Sequence, residues 1–150
     1  MSEPFNDLDS DLDLIDLINE RYGMLRKMCE KMWNDHNAVP ISSSEWQIMA
    51  RIYKKSPTIA HIAKQAGISR QAAHKFVKKM ENKGLIEFVQ SNNNKDKCVR
   101  LTEFGTTCFE KNKGNKTRLE RLIADKIGPE PYSQLKTLLK ADWGLQDTNG

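Results

Sequence analysis

The fold is decided by one stretch, Ile59-Ala60-His61-Ile62-Ala63-Lys64-Gln65-Ala66-Gly67-Ile68-Ser69-Arg70-Gln71-Ala72-Ala73-His74-Lys75-Phe76-Val77. Two helices that cross steeply need a small residue where they touch, and Ala63 has that size. The tight turn between them needs a residue that tolerates positive φ, which Gly67 supplies. Ser69 is a good N-cap for the second helix, and Gly84 is a good residue to end it. The pattern predicts a helix-turn-helix whose small core is Ile62, Ile68, Ala73, Phe76, Val77 and Met80.

With those residues turned inward, the outward face of the second helix is fixed and is polar. Arg70 and Gln71 lie near its start, where such a helix reaches the base edges of DNA; Arg suits guanine and Gln suits adenine. His74 suits either a base or a phosphate, and the three lysines further along suit phosphates. The expected DNA-binding residues of this helix are Ser69, Arg70, Gln71, His74, Lys75, Lys78 and Lys79.

The charge of the chain is concentrated in the same region. The 150 residues carry a net charge of +4, but residues 51–102 hold 12 Lys/Arg against 3 Asp/Glu, whereas residues 1–50 hold 4 against 10. A middle third this basic is typical of a surface that meets a polyanion. A solvated basic face without a partner would give the same count. Whether this surface binds a polyanion is therefore judged from the helix-turn-helix.

The remaining elements follow from periodicity and from capping residues. We expect a long amphipathic helix from Leu8 to about Asp35. The next helix along the chain should begin with a capping box formed by Ser42 and Glu45. Two strand-like runs, Leu85–Gln90 and Lys97–Leu101, predict a β-hairpin. Thr102 can cap a fifth helix, broken or frayed near Gly114, and a last helix is expected from Tyr132 to about Lys140. The predicted fold class is mainly α with a small β-hairpin.

The sequence resembles the MarR family of bacterial transcriptional regulators. The resemblance lies between Pro57 and Gly105: Thr58 opening a helix, then Ala66-Gly67-Ile68-Ser69, Met80-Glu81-Asn82-Lys83-Gly84-Leu85-Ile86 and Leu101-Thr102-Glu103-Phe104-Gly105. It implies a winged helix-turn-helix protein with N- and C-terminal dimerisation helices, which grips a pseudo-palindromic site as a homodimer. Family members commonly repress transcription and release DNA when a small ligand binds or a cysteine is oxidised.

The resemblance implies one MarR-like domain over 1–150, with dimerisation helices at 1–41 and 103–145 and a winged DNA-binding lobe at 42–102. An excess of apolar residues at both ends independently favours a dimer, because one small core cannot bury them all. The wing, which is the predicted β-hairpin of residues 85–101, departs from the family pattern, since Asn93 and Lys95 occupy the positions of the family's bracing Asp–Arg pair. We expect a less rigid wing that contacts DNA through Lys95 and Lys97.

Other functions find less support in the sequence. The three histidines have no metalloprotease spacing, and there is no nucleophile elbow and no glycine-rich phosphate loop, so no enzyme, metal or cofactor is predicted. With no apolar run long enough to cross a membrane and no secretory signal, the protein is expected to be cytoplasmic. A winged helix that mainly binds another protein is the alternative. A small effector is conceivable in a candidate pocket lined by Trp33, His36, Trp46 and Tyr53, although aromatic residues at helical spacing usually form core.

Three cysteines, Cys29, Cys98 and Cys108, are scattered without metal-ligand pairs and are interpreted as reduced thiols. Cys29 lies among methionines and leucines and is expected to be a core residue. The peroxide-sensing branch of the resembled family carries its reactive cysteine near the start of the first helix, where this chain has none. Sensing by oxidation is therefore disfavoured.

Overall fold

A computed structural model describes residues 11–90 and 97–145. Its six helices and two strands run in the order α1 (Leu14–Asn34), α2 (Ser43–Ile52), α3 (Ile59–Ala66), α4 (Arg70–Asn82), β1 (Ile86–Val89), β2 (Cys98–Leu101), α5 (Glu103–Ile127) and α6 (Pro129–Lys140). The chain forms two compact units, Met1–Asn115 and Lys116–Gly150. No helix within the described residues is long and apolar enough to cross a membrane.

The helices of the first unit begin where local side-chain chemistry starts them. Ser42 and Glu45 form a capping box, in which each side chain accepts a hydrogen bond from the other's backbone N–H. Thr58 caps α3 and Ser69 caps α4 through their hydroxyl oxygens. Each cap satisfies an N–H that the first turn of a helix leaves without a partner. These three predicted caps are confirmed.

Three helices differ from the prediction made from sequence, two in where they begin and one in being continuous. α1 begins at Leu14 rather than Leu8, because Asp13 accepts a hydrogen bond from the Asp16 N–H and caps it there. α5 is continuous through Gly114, since one glycine weakens a helix by only about 1 kcal/mol and does not break it. α6 begins at Pro129, because a proline in the first turn needs no hydrogen-bond donor.

A single hydrophobic core holds α2, α3, α4 and the hairpin together in the first unit. Met49, Ile52, Ile62 and Met80 are fully buried there. The strands pair antiparallel, with Ile86 opposite Leu101. The segment before α3 adds to this sheet, because the Val99 N–H donates to the Pro57 carbonyl at 2.9 Å. The hairpin is thereby fixed to the start of the helix-turn-helix.

The first and last helices expose much of their apolar surface. Trp33 is buried on α1, whereas α6 has no buried residue in the described chain. Large apolar side chains on these two helices that remain exposed are Leu14, Ile15, Ile18, Tyr22, Leu25, Met28, Leu135, Leu138 and Leu139. The expected excess of apolar residues at both ends is therefore present as exposed surface.

Candidate nucleic-acid interface

The turn between α3 and α4 has the geometry that a helix-turn-helix requires. Gly67 lies in the left-handed region at φ 68°, and the Ile68 N–H donates to the Ala63 carbonyl at 3.0 Å. Ala63 itself is buried between the helices. A side chain at Gly67 would meet no atom, so the glycine is required by backbone conformation and not by space.

Packing of α4 fixes which of its side chains reach solvent. Ala73, Val77 and Met80 are fully buried. The polar residues predicted to contact DNA all lie on the exposed part of the helix: Arg70, Gln71, His74, Lys75, Lys78 and Lys79. The first turn contains no acidic residue. The exposed face of α4 is therefore cationic, and it carries the amide of Gln71 near its N-terminal end.

Ser69 joins this face in a double role. Its hydroxyl oxygen accepts a hydrogen bond from the Ala72 N–H at 3.0 Å, which leaves its own O–H available as a donor. The residue is exposed at the N-terminus of α4. A hydroxyl and backbone N–H groups at a helix N-terminus suit a phosphate.

One aromatic ring connects α4 with the hairpin. The Lys78 Nζ lies 5.8 Å from the centre of the Phe88 ring, and the Lys97 Nζ lies 5.4 Å from it. Cation–π attraction at such distances holds an ammonium group over a ring. Lys78 also pairs with Glu81 at 3.3 Å, an exposed contact that contributes little and exchanges readily. The helix and the wing therefore each place one ammonium group beside the same ring.

The wing has an ion pair that the sequence reasoning missed. Glu87 lies opposite Arg100 in the hairpin, and the Arg100 Nε is 2.7 Å from the Glu87 carboxylate. Opposite charges at directly paired positions stabilise a hairpin. Their alignment could have been found by pairing the two strand-like runs. The expected contact Lys95, together with Asn93, lies outside the described residues.

The far end of α4 is held by a second missed contact. Lys83, its C-cap, donates to the Glu45 carboxylate at 2.8 Å and to the Pro40 carbonyl at 2.7 Å. Glu45 is fully buried, and its carboxylate also accepts from the Ser42 N–H. The ion pair therefore fixes the C-terminus of α4 to the N-terminus of α2.

The four residues of the candidate effector pocket have different environments. Trp33 and Trp46 are buried edge to face, with ring centres 5.0 Å apart, and His36 is exposed. The Tyr53 ring is tilted against that of Phe109, with centres 4.6 Å apart, and the Tyr53 hydroxyl donates to Glu110 at 2.6 Å. That hydrogen bond, aided by burial, raises the pKa of Tyr53. The structure thus places the two tryptophans in the core and His36 outside it.

In the part of the chain that the structure describes, the cysteines and histidines belong to no metal-binding group. Within residues 11–90 and 97–145, no group of three or more His, Cys, Asp or Glu side chains could hold a metal ion. Cys108 is buried, and burial raises the pKa of its thiol, which makes it a poor nucleophile.

The elements from α2 to β2 define a winged helix-turn-helix lobe, and the expected fold class is confirmed. Residues 41–96 match the family model of the MarR family, which confirms the resemblance seen in the sequence. No match was found among curated protein sequences.

Solved structures of low sequence identity have the same fold. Apo MarR from E. coli is 17% identical, with a TM-score of 0.74, covering 86% of this chain and 96% of that one. MepR, a transcription regulator of the Staphylococcus aureus multidrug efflux pump MepA, is 16% identical, with a TM-score of 0.70 and coverage of 85% and 94%. Streptococcus pneumoniae FabT in complex with DNA is 18% identical, with a TM-score of 0.72 and coverage of 84% and 90%.

Proposed function

We propose that this protein is a sequence-specific transcriptional regulator that binds double-stranded DNA. The observation that carries the proposal is the exposed face of α4, where an arginine, a glutamine, a histidine and three lysines surround an acid-free N-terminus. The similarity to FabT, whose structure was determined with DNA, supports the same conclusion. In this proposal α4 enters the major groove.

The residues of the interface divide into two roles. Arg70 and Gln71, in the first turn, read base edges, and His74 contacts a base or a phosphate. Lys75, Lys78 and Lys79 contact phosphates, as does Ser69, and from the wing Lys95 and Lys97 contact a phosphate or the minor groove. Two of these lysines share the Phe88 ring, which favours joint use of helix and wing on one DNA backbone.

We further propose a homodimer that acts as a repressor in the bacterial cytoplasm. The exposed apolar side chains along α1 and those along α6 each support the dimer, because a large exposed apolar patch marks a protein–protein interface. In this arrangement 1–41 and 103–145 supply the dimerisation helices and 42–102 the DNA-binding lobe. Two-fold symmetry would set half-sites about 34 Å apart.

Release by a small effector is a further part of the proposal. The aromatic cluster of Trp33, Trp46 and Tyr53, with His36 nearby in sequence, supports a pocket there only through its composition. Binding of a ligand would quench the tryptophan fluorescence and weaken DNA binding together. A ligand that does only one of the two would contradict the coupling.

The decisive experiment selects bound sequences from a random DNA pool and then measures affinity for the selected duplex against salt. Arg70→Ala and Gln71→Ala should each cost about 1–3 kcal/mol and relax specificity at one base pair per half-site. Lys75→Ala should weaken binding to all sequences and reduce the slope of log K against log salt by about 0.9. Lys126→Gln, which removes one charge from the end of α5, is the matched control.

Failure to enrich any sequence at low salt would contradict the proposal. A salt-independent interaction with another protein, with the α4 variants unaltered, would favour the alternative that this winged helix mainly binds protein. For the wing, Lys95→Ala should lower affinity and its salt dependence. An unchanged slope would remove Lys95 from the interface.

A further inference from the structure

Two open grooves lie at the end of α2, outside the set of residues proposed to bind DNA. One has a volume of about 410 Å³ and is lined by Lys54, Lys55, Ser56, Arg100, Leu101 and Thr106. The other has a volume of about 380 Å³ and is lined by Gln47, Ala50, Arg51, Lys55 and Gln65. Lys55 lines both, so the grooves are adjacent. We call them together the α2-end groove.

The charge of the α2-end groove is of one sign. Four of its lining residues are cationic: Arg51, Lys54, Lys55 and Arg100. Among the described residues that line it, none is acidic; Glu87, which pairs with Arg100, is not a lining residue. A concave surface with cations alone focuses a positive potential and attracts an anion.

Arg51 gives the strongest evidence that the groove binds a ligand. Its Nε is buried and has no hydrogen-bond partner within the part of the chain that the structure describes. Such buried donors are rare in native proteins, because a donor removed from water normally finds an acceptor. A guanidinium group presents its donors in a planar fork that matches a phosphate or carboxylate. An oxyanion bound against this guanidinium group would supply the missing acceptor once the side chain turns toward the groove.

Lys54 adds an independent observation. It has a left-handed backbone conformation, at φ 61°, where a non-glycine residue is uncommon. Glycine would hold the same turn with less strain, and strained residues of this kind collect at ligand sites. The turn is fixed by the Lys55 N–H, which donates to the Ile52 carbonyl at 2.7 Å. The turn therefore places two successive lysines at the groove.

We infer that the α2-end groove is an oxyanion site that binds a phosphate group, with the Arg51 guanidinium as its main donor and Lys55 as its central charge. The phosphate group comes from one of two sources, a free phosphate compound or the backbone of a nucleic acid. The inference does not rest on the proposed function, because a free phosphate would bind whether or not α4 binds DNA.

The first arm of the test uses the full chain with inorganic phosphate and with pyrophosphate as probes. Thermal unfolding is compared with sodium chloride at the same ionic strength. A site with a Kd of about 1 mM should raise the midpoint by about 3–6 °C at 10 mM probe. Arg51→Gln and Lys55→Gln should each weaken the site about tenfold or more and remove most of the excess shift. Lys126→Gln should keep it.

The second arm measures binding of the selected DNA duplex against salt for the same variants. If the source is a DNA phosphate, Arg51→Gln and Lys55→Gln should reduce the log–log slope by about 0.9 each, and Lys126→Gln should not. If the source is free phosphate, the slopes should equal that of the wild type while the thermal shift is lost. Should Arg51→Gln fail to fold, the exposed Lys55→Gln decides both arms.

Absence of an excess shift with either probe, together with wild-type salt slopes in both groove variants, would overturn the inference. An equal effect of Lys126→Gln would overturn it as well, because the groove would then act only through net charge. Loss of DNA binding in the wild type would contradict the proposed function but leave the phosphate arm intact. The two failures are therefore distinguishable.

Discussion

Replacing two glycines of α5 by alanine should have opposite effects on stability. Gly105 is buried, and a Cβ at this position would lie 2.0 Å from the Leu85 carbonyl oxygen and 2.9 Å from its carbon. The same oxygen accepts a hydrogen bond from the Thr102 N–H at 3.0 Å. A Cβ at Gly114 would meet no atom within 4 Å. The first glycine is required by close packing and the second is not.

The size of each effect follows from these distances. Real Cβ atoms essentially never approach another heavy atom within 3.0 Å, so Gly105→Ala must push backbone apart by at least 1 Å. Overpacking together with a weakened hydrogen bond should cost about 2–4 kcal/mol, or about 5–15 °C in the unfolding midpoint of a chain this long. Gly114→Ala should gain up to about 1 kcal/mol, because alanine favours a helix more than glycine does.

Urea and thermal unfolding of both variants would be compared with the wild type at one protein concentration, since dimerisation would make the midpoint concentration-dependent. A Gly105→Ala variant as stable as the wild type would refute the close approach of α5 to Leu85. A Gly114→Ala variant that loses stability would refute an exposed, continuous helix at that position.

Three further results are expected. Lys83→Met should lower the free energy of unfolding by about 3–5 kcal/mol in urea titrations, because it leaves the Glu45 carboxylate buried without its cation; an unchanged midpoint would show that the pair contributes nothing. The hydrogen bond from Tyr132 lowers the pKa of Glu120. The ionised Glu120 carboxylate therefore stabilises the fold fully above the ordinary pKa of 4.5, and this stabilisation is lost as pH falls through the lower pKa of the folded state. Glu120→Gln should therefore flatten the acid side of the pH–stability curve, and an identical curve would contradict this. Cys108 should react with iodoacetamide much more slowly in the folded protein than in urea, as mass spectrometry would record, because burial raises its thiol pKa; equal rates would place it at the surface.

Features that depend on neighbours in sequence were predictable. The caps at Ser42, Thr58 and Ser69 use hydrogen bonds that span three residues, and Gly67 is required by its own backbone angle. The exposed face of α4 follows from helical period alone once its apolar side is fixed. This is why the positions of the proposed DNA-binding residues on that face could be read from sequence.

Features that depend on distant pairing were not predictable in the same way. The contact of Lys83 with Glu45 joins residues 38 apart, and nothing local to either indicates the other. The approach of both Lys78 and Lys97 to the Phe88 ring requires both the hairpin register and the packing of α4 against β1. The expected break at Gly114 failed for the opposite reason, since a local weakness was outweighed by the rest of a long helix.

The shared position of Lys78 and Lys97 over the Phe88 ring has a consequence for how this protein could change. Their charges lie no more than about 11 Å apart, close to the screening length of physiological salt, so an anion near one also senses the other. A mutation that shifts α4 would move Lys78 relative to the ring and so change the distance between the two charges. Under the proposed function, such a variant would therefore present a different spacing of positive charge to the DNA backbone.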